Sequence, residues 1–93
     1  MIIGVPKETK TDEYRIAVKP AGAELLVRDG HRVLIEAGAG LGSGFSDDDF
    51  RRTGAVVVGD AERVFGEAEL IVKVKEPQPR EIELLTPRHT VFG

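Results

Sequence analysis

The apolar positions of this sequence fall in short, separated runs: Ile2 to Val5, Val33 to Ile35, Val56 to Val58, Leu70 to Val74 and Thr90 to Phe92. These runs are mostly β-branched and bounded by glycine, proline or charge, so they predict five strands. Between the first two lies Pro20 to Gly30, with a proline suited to a first helical turn and a glycine suited to the stop, which predicts the clearest helix. Ser46 ahead of Asp47, Asp48 and Asp49 places a hydroxyl cap before acidic first-turn residues, predicting a short helix through Arg52 closed by Gly54. Asp60 opens a third helix over Ala61 to Phe65, and a fourth helical turn is expected around Glu81 to Leu85, after the prolines at 77 and 79.

Strands that alternate with helices at this spacing require crossover connections, and these bring the strands into parallel pairing. The expected fold is therefore α/β: an open, mainly parallel sheet of about five strands with flanking helices, Rossmann-like or flavodoxin-like. The run Thr90 to Phe92 has the look of a buried strand, yet only Gly93 follows it. The expectation is a domain cut short, with an edge through which a second copy can pair.

Composition narrows the function classes. With 93 residues and 41% hydrophobic content, the chain has room for one small domain. A net charge of -3 offers no basic stripe of the kind that follows nucleic-acid phosphates. No apolar run approaches the roughly 20 residues that span a bilayer, and the start lacks a basic secretory region, so the reading is a cytoplasmic chain without membrane or nucleic-acid partners. The absence of cysteine removes thiolate chemistry and cysteine zinc sites, and the two histidines lack metal-ligand spacing.

In an open parallel sheet, ligands collect beyond the carboxyl ends of the strands. Arg15, after the long polar connection from Pro6 to Tyr14, and Lys75, beyond the fourth strand, both fall there. Lys73 and Lys75 take the side of Ile71 by the period of two, and Lys75 is nearer the carboxyl end. An arginine fork and a lysine point charge converging on one crevice suit a small carboxylate. Spacing alone also allows two solvated surface charges, the commoner fate of these residues. The glycines from Gly38 to Gly44 follow a strand, but the sixth place of a dinucleotide fingerprint is Ser43 counted from Gly38 and Phe45 counted from Gly40. That loop reads as a mobile structural turn that holds no cofactor. His31 and His89 lack the neighbours that would specify a base, so both are expected at the surface.

The segments Ile3 to Glu8, Glu13 to Ala17, Pro20 to Gly22, Glu36 to Gly40, Gly44 to Asp47, Gly54-Ala55 and Val72 to Pro77 together resemble the start of alanine dehydrogenases and of proton-translocating transhydrogenase alpha subunits. The resemblance covers essentially the whole chain. Transhydrogenases typically lack a lysine at the position of Lys75, so Lys75 favours the alanine dehydrogenase branch. That branch implies reversible, NAD-dependent oxidative deamination of L-alanine to pyruvate and ammonia, with Arg15 and Lys75 holding the substrate. It also implies that residues 1–93 are the amino-terminal part of the substrate-binding domain, with the acid/base histidine and the NAD-binding domain lying further on. Loss of a general acid/base alone typically lowers rates about 100- to 10,000-fold, so the isolated chain is expected to be inactive. The competing expectation is a non-catalytic module that self-associates through its last strand.

Overall fold

A computed structural model describes all of residues 1–93. Its elements are β1 (Ile2–Val5), α1 (Pro20–Arg28), β2 (Arg32–Glu36), a 3-10 turn (Leu41–Ser43), α2 (Asp47–Arg51), β3 (Val56–Val58), α3 (Ala61–Glu67), β4 (Leu70–Val72), α4 (Pro79–Leu84) and β5 (Thr90–Phe92). The strands form one sheet in the order β3-β2-β1-β4-β5, and every pair is parallel. The expected α/β architecture is thus present, with a helix on each crossover.

Local signals explain the boundaries. Pro20 occupies the first turn of α1, where its missing N–H leaves nothing unpaired. The Ser46 hydroxyl accepts from the Asp49 N–H while the Asp49 carboxylate accepts from the Ser46 N–H, a reciprocal cap at the start of α2. Asp60 caps α3 by accepting from the Arg63 N–H at 2.9 Å. Gly54, expected to end α2, has φ 94°, a left-handed conformation that glycine adopts without strain.

Both faces of the sheet are covered. On one face Val5, Val33 and Ile35 pack with Ala23, Phe50 and Ala55; on the other Leu34, Val58 and Ile71 pack with Val64, Phe65 and Ala68. Successive residues of β2 therefore enter opposite cores, as the period of two requires. Helix α3 reaches β1 closely because Gly4 has no side chain: a Cβ there would sit 2.7 Å from both the Ala68 Cβ and a Val64 methyl. Gly4→Ala is expected to destabilise the chain by about 1–3 kcal/mol, since the Ala68 Cβ is fixed to its backbone and cannot rotate away. Urea denaturation checks this, and an unchanged midpoint would refute the close packing of α3 on β1.

One strand is shorter than its sequence pattern. The apolar alternation runs to Val74, but β4 ends at Val72 because the Glu8 carboxylate accepts from the N–H groups of Val74 and Lys75 at 3.0 and 3.2 Å. A side chain takes the place of a strand partner there. At the sheet edge all three residues of β5 are exposed, and Phe92 keeps 67% of its surface open.

The order 3-2-1 then 4-5 reverses between β1 and β4, so the connections leaving those two strands diverge and open a crevice at their carboxyl ends. Arg15 lies on the connection after β1, and Lys75 on the one after β4.

Candidate substrate site

Arg15 and Lys75 meet on a carboxylate that belongs to the chain itself. Glu13 Oε1 accepts from Arg15 Nη2 at 2.9 Å and lies 3.9 Å from Lys75 Nζ. Glu13 Oε2 accepts from both Arg15 Nε and the Arg15 backbone N–H at 3.0 Å. The arginine fork is thus filled on its Nε–Nη2 edge, leaving Nη1 with no partner within the chain. Arg15 remains well exposed and Lys75 half-exposed, whereas the Glu13 side chain keeps only 5% of its surface open. These groups line a cavity of about 410 Å³ together with Lys10, Thr11, Asp12 and Tyr14.

The Arg15 side-chain hydrogen bonds lower the Glu13 pKa from 4.5 to about 2, helped by the Arg15 backbone N–H. Burial works against them, but the Arg15 hydrogen bonds, with the nearby Arg15 and Lys75 charges, outweigh it. The same bonds raise Arg15 above its ordinary value. A carboxyl held this low contributes stability that is complete above its unfolded pKa and is lost as pH falls through about 2. A carbon-13 titration of the Glu13 carboxyl should show its midpoint near 2. A midpoint in the ordinary carboxylate range would rule out the clamp.

Two further features hold the cations in place. Ser43 Oγ accepts from the Ile16 N–H at 3.2 Å and donates to the Tyr14 carbonyl at 3.1 Å, fixing the backbone on either side of Arg15. Gly42 permits this approach, since a Cβ there would lie 2.7 Å from the Tyr14 carbonyl oxygen. The glycine-rich segment is therefore a closely packed support for Arg15 rather than a loose turn. It does not suit a dinucleotide: Gly42 is occupied by Tyr14, and a Cβ on Gly40 would meet the Phe50 ring at 2.7 Å, so neither glycine is open to a pyrophosphate. The Gly38 N–H is likewise taken by Asp47 at 2.8 Å.

Beneath Lys75 lies a charge cluster that the sequence reading passed over. Lys73 Nζ donates to Glu8 Oε1 at 3.2 Å and to Glu81 Oε2 at 2.9 Å, and each of the three side chains is at most 4% exposed. Because Glu8 also holds the Val74 and Lys75 N–H groups, the cluster fixes the backbone that carries Lys75. At the surface, Lys10 and Glu76 add an ion pair of 2.6 Å between the two connections. The signal available in the sequence was Lys73 itself, a charge between two valines in an apolar run, which implies a buried partner.

The histidines are half-buried rather than at the surface. His89 Nδ1 accepts from the Thr86 N–H at 2.9 Å, so Nε2 carries the proton that it donates to the Phe65 carbonyl. His31 Nδ1 is buried without a partner. Neither lines the cavity of Arg15 and Lys75.

Residues 4–93 match the family model described as alanine dehydrogenase/PNT, N-terminal domain. The chain belongs to that family. Alanine dehydrogenase/PNT relatives include the alanine dehydrogenase of Mycolicibacterium smegmatis, 49% identical over 92 residues, which are 99% of this chain and 25% of that protein. The Bacillus subtilis alanine dehydrogenase is 52% identical over 81 residues, 87% of this chain and 21% of that one. Among solved structures, an L-alanine dehydrogenase superposes with a TM-score of 0.94 at 44% identity, over 98% of this chain and 25% of that chain. A transhydrogenase from Sinorhizobium meliloti gives 0.90 at 34% identity, over 98% and 27%. The chain thus spans about a quarter of the length of the relatives it matches, and the family includes both branches anticipated from its motifs.

Proposed function

We propose that this family member supplies the carboxylate-binding half of an NAD-dependent L-alanine dehydrogenase site, with Arg15 and Lys75 holding L-alanine or pyruvate. The observation that carries the reading is the convergence of both cations on one carboxylate oxygen, Glu13 Oε1. A seat that already accommodates a carboxylate has the charge and spacing for that of a small oxo acid. Arg15 retains an open guanidinium edge, and Lys75 is placed to donate to the second carboxylate oxygen or to the adjacent carbonyl, where it would stabilise negative charge developing on oxygen. The names of the relatives support the substrate, and Lys75 supports this branch over the transhydrogenase one.

In this reading the chain binds and orients the substrate, while neither histidine is placed to move a proton at it. The glycine-rich segment does not fit the pyrophosphate of NAD, so no step of hydride transfer is assigned to it. Adding pyruvate to isotopically labelled protein should shift the Arg15 Nε and Lys75 Nζ resonances together, saturably. Shifts at neither would reject the reading and favour the transhydrogenase branch, which has no amino acid to bind.

A further inference from the structure

Building on the proposed substrate-carboxylate role, we propose that Glu13 sets the net charge of the Arg15–Lys75 seat and makes it selective for a monocarboxylate over a dicarboxylate. Arg15 and Lys75 bring two positive charges to one place, and Glu13, bound to the first and 3.9 Å from the second, cancels one of them. Among these three groups one positive charge is left to face a ligand, which a monoanion neutralises and a dianion exceeds.

The surrounding groups do not restore the balance. Lys10, on the same cavity wall, is answered by Glu76 at 2.6 Å. Asp12 lines the cavity as well, has no ion-pair partner within the chain, and adds negative charge at the rim. Below, Lys73 is outnumbered by Glu8 and Glu81. Size cannot supply the discrimination, because a cavity of about 410 Å³ admits three-carbon monoacids and diacids alike. Charge is the property that separates them.

Glu13 also acts as a positioning residue. By occupying the Nε–Nη2 edge of Arg15, it turns the remaining edge of the guanidinium outward and draws Lys75 toward the same point. Removing its charge should therefore change which ligand is preferred as well as how tightly ligands bind.

The test compares pyruvate with ketomalonate, a dianion of similar size, by NMR titration of the wild-type chain and the variants Glu13→Gln and Glu13→Ala. The wild-type chain should prefer pyruvate, and both variants should lower the pyruvate-to-ketomalonate affinity ratio about tenfold, the expected effect of one uncompensated charge at roughly 6 Å in surroundings between protein and water. Gln and Ala differ in shape and hydrogen bonding but share the loss of charge, so a common shift identifies charge as the cause. An unchanged ratio, or a shift in only one variant, would overturn the inference while leaving the carboxylate-binding reading intact. A wild-type chain that binds pyruvate no better than ketomalonate would overturn it too. A wild-type chain that binds neither anion would overturn both.

Discussion

Replacing Lys73 with methionine is expected to destabilise the chain by about 3–5 kcal/mol, the effect of leaving buried carboxylates without their counter-charge. Glu8 and Glu81 both pair with the lysine ammonium, at 3.2 and 2.9 Å, and both are almost fully covered. A single-domain chain has roughly 5–15 kcal/mol of stability in total, so this one substitution should remove a large share of it. The decisive control is the double variant Lys73→Met with Glu81→Gln. There, one carboxylate is neutralised, Glu8 still accepts from the Val74 and Lys75 N–H groups, and the Gln oxygen can keep the bond from the Gln78 N–H now made by Glu81. Part of the lost stability should return, since only one buried carboxylate, not two, is left without its counter-charge. Urea midpoints of the two variants read this directly; a double variant no more stable than Lys73→Met would show that the lysine acts through packing rather than through its charge.

The Lys73 cluster also marks where sequence reasoning stops. The sheet was legible because strand periodicity is local: β-branched runs bounded by glycine and charge are visible without any knowledge of their neighbours, as are the Pro20, Ser46 and Asp60 helix starts. The placement of Arg15 and Lys75 was legible for a related reason, since a parallel topology fixes which connections share an end of the sheet. What could not be read was the pairing of charges distant in sequence. Glu8 and Lys73 are 65 positions apart, and nothing in either local pattern names the other.

The same limit applies to Glu13. It stands two residues before Arg15 in a polar segment where a solvated carboxylate is the usual outcome. Only the fold, by bringing the β4 connection alongside, makes it the point where two cations meet. The end of β4 failed for a similar reason: alternation predicts side-chain direction, but a carboxylate from another connection had claimed the N–H groups that would have extended the strand.

Arg15→Met should weaken pyruvate binding about 10- to 150-fold, the range for losing charge-assisted hydrogen bonds to a carboxylate. Arg15→Lys should recover only part of that loss, because an ammonium keeps the charge but cannot present two parallel N–H groups. The loss in Arg15→Met has two sources, a missing donor for the substrate and a Glu13 carboxylate no longer neutralised by its main partner, and their separation needs a double-mutant cycle with Glu13→Gln. If Glu13 repels the ligand once Arg15 is gone, the double variant should bind pyruvate more tightly than Arg15→Met alone. If Arg15 acts only as a direct donor, removing Glu13 as well should change nothing further. Pyruvate affinity in Arg15→Met equal to that of the wild-type chain would exclude Arg15 from the seat, leaving its bond to Glu13 as a feature of the fold alone.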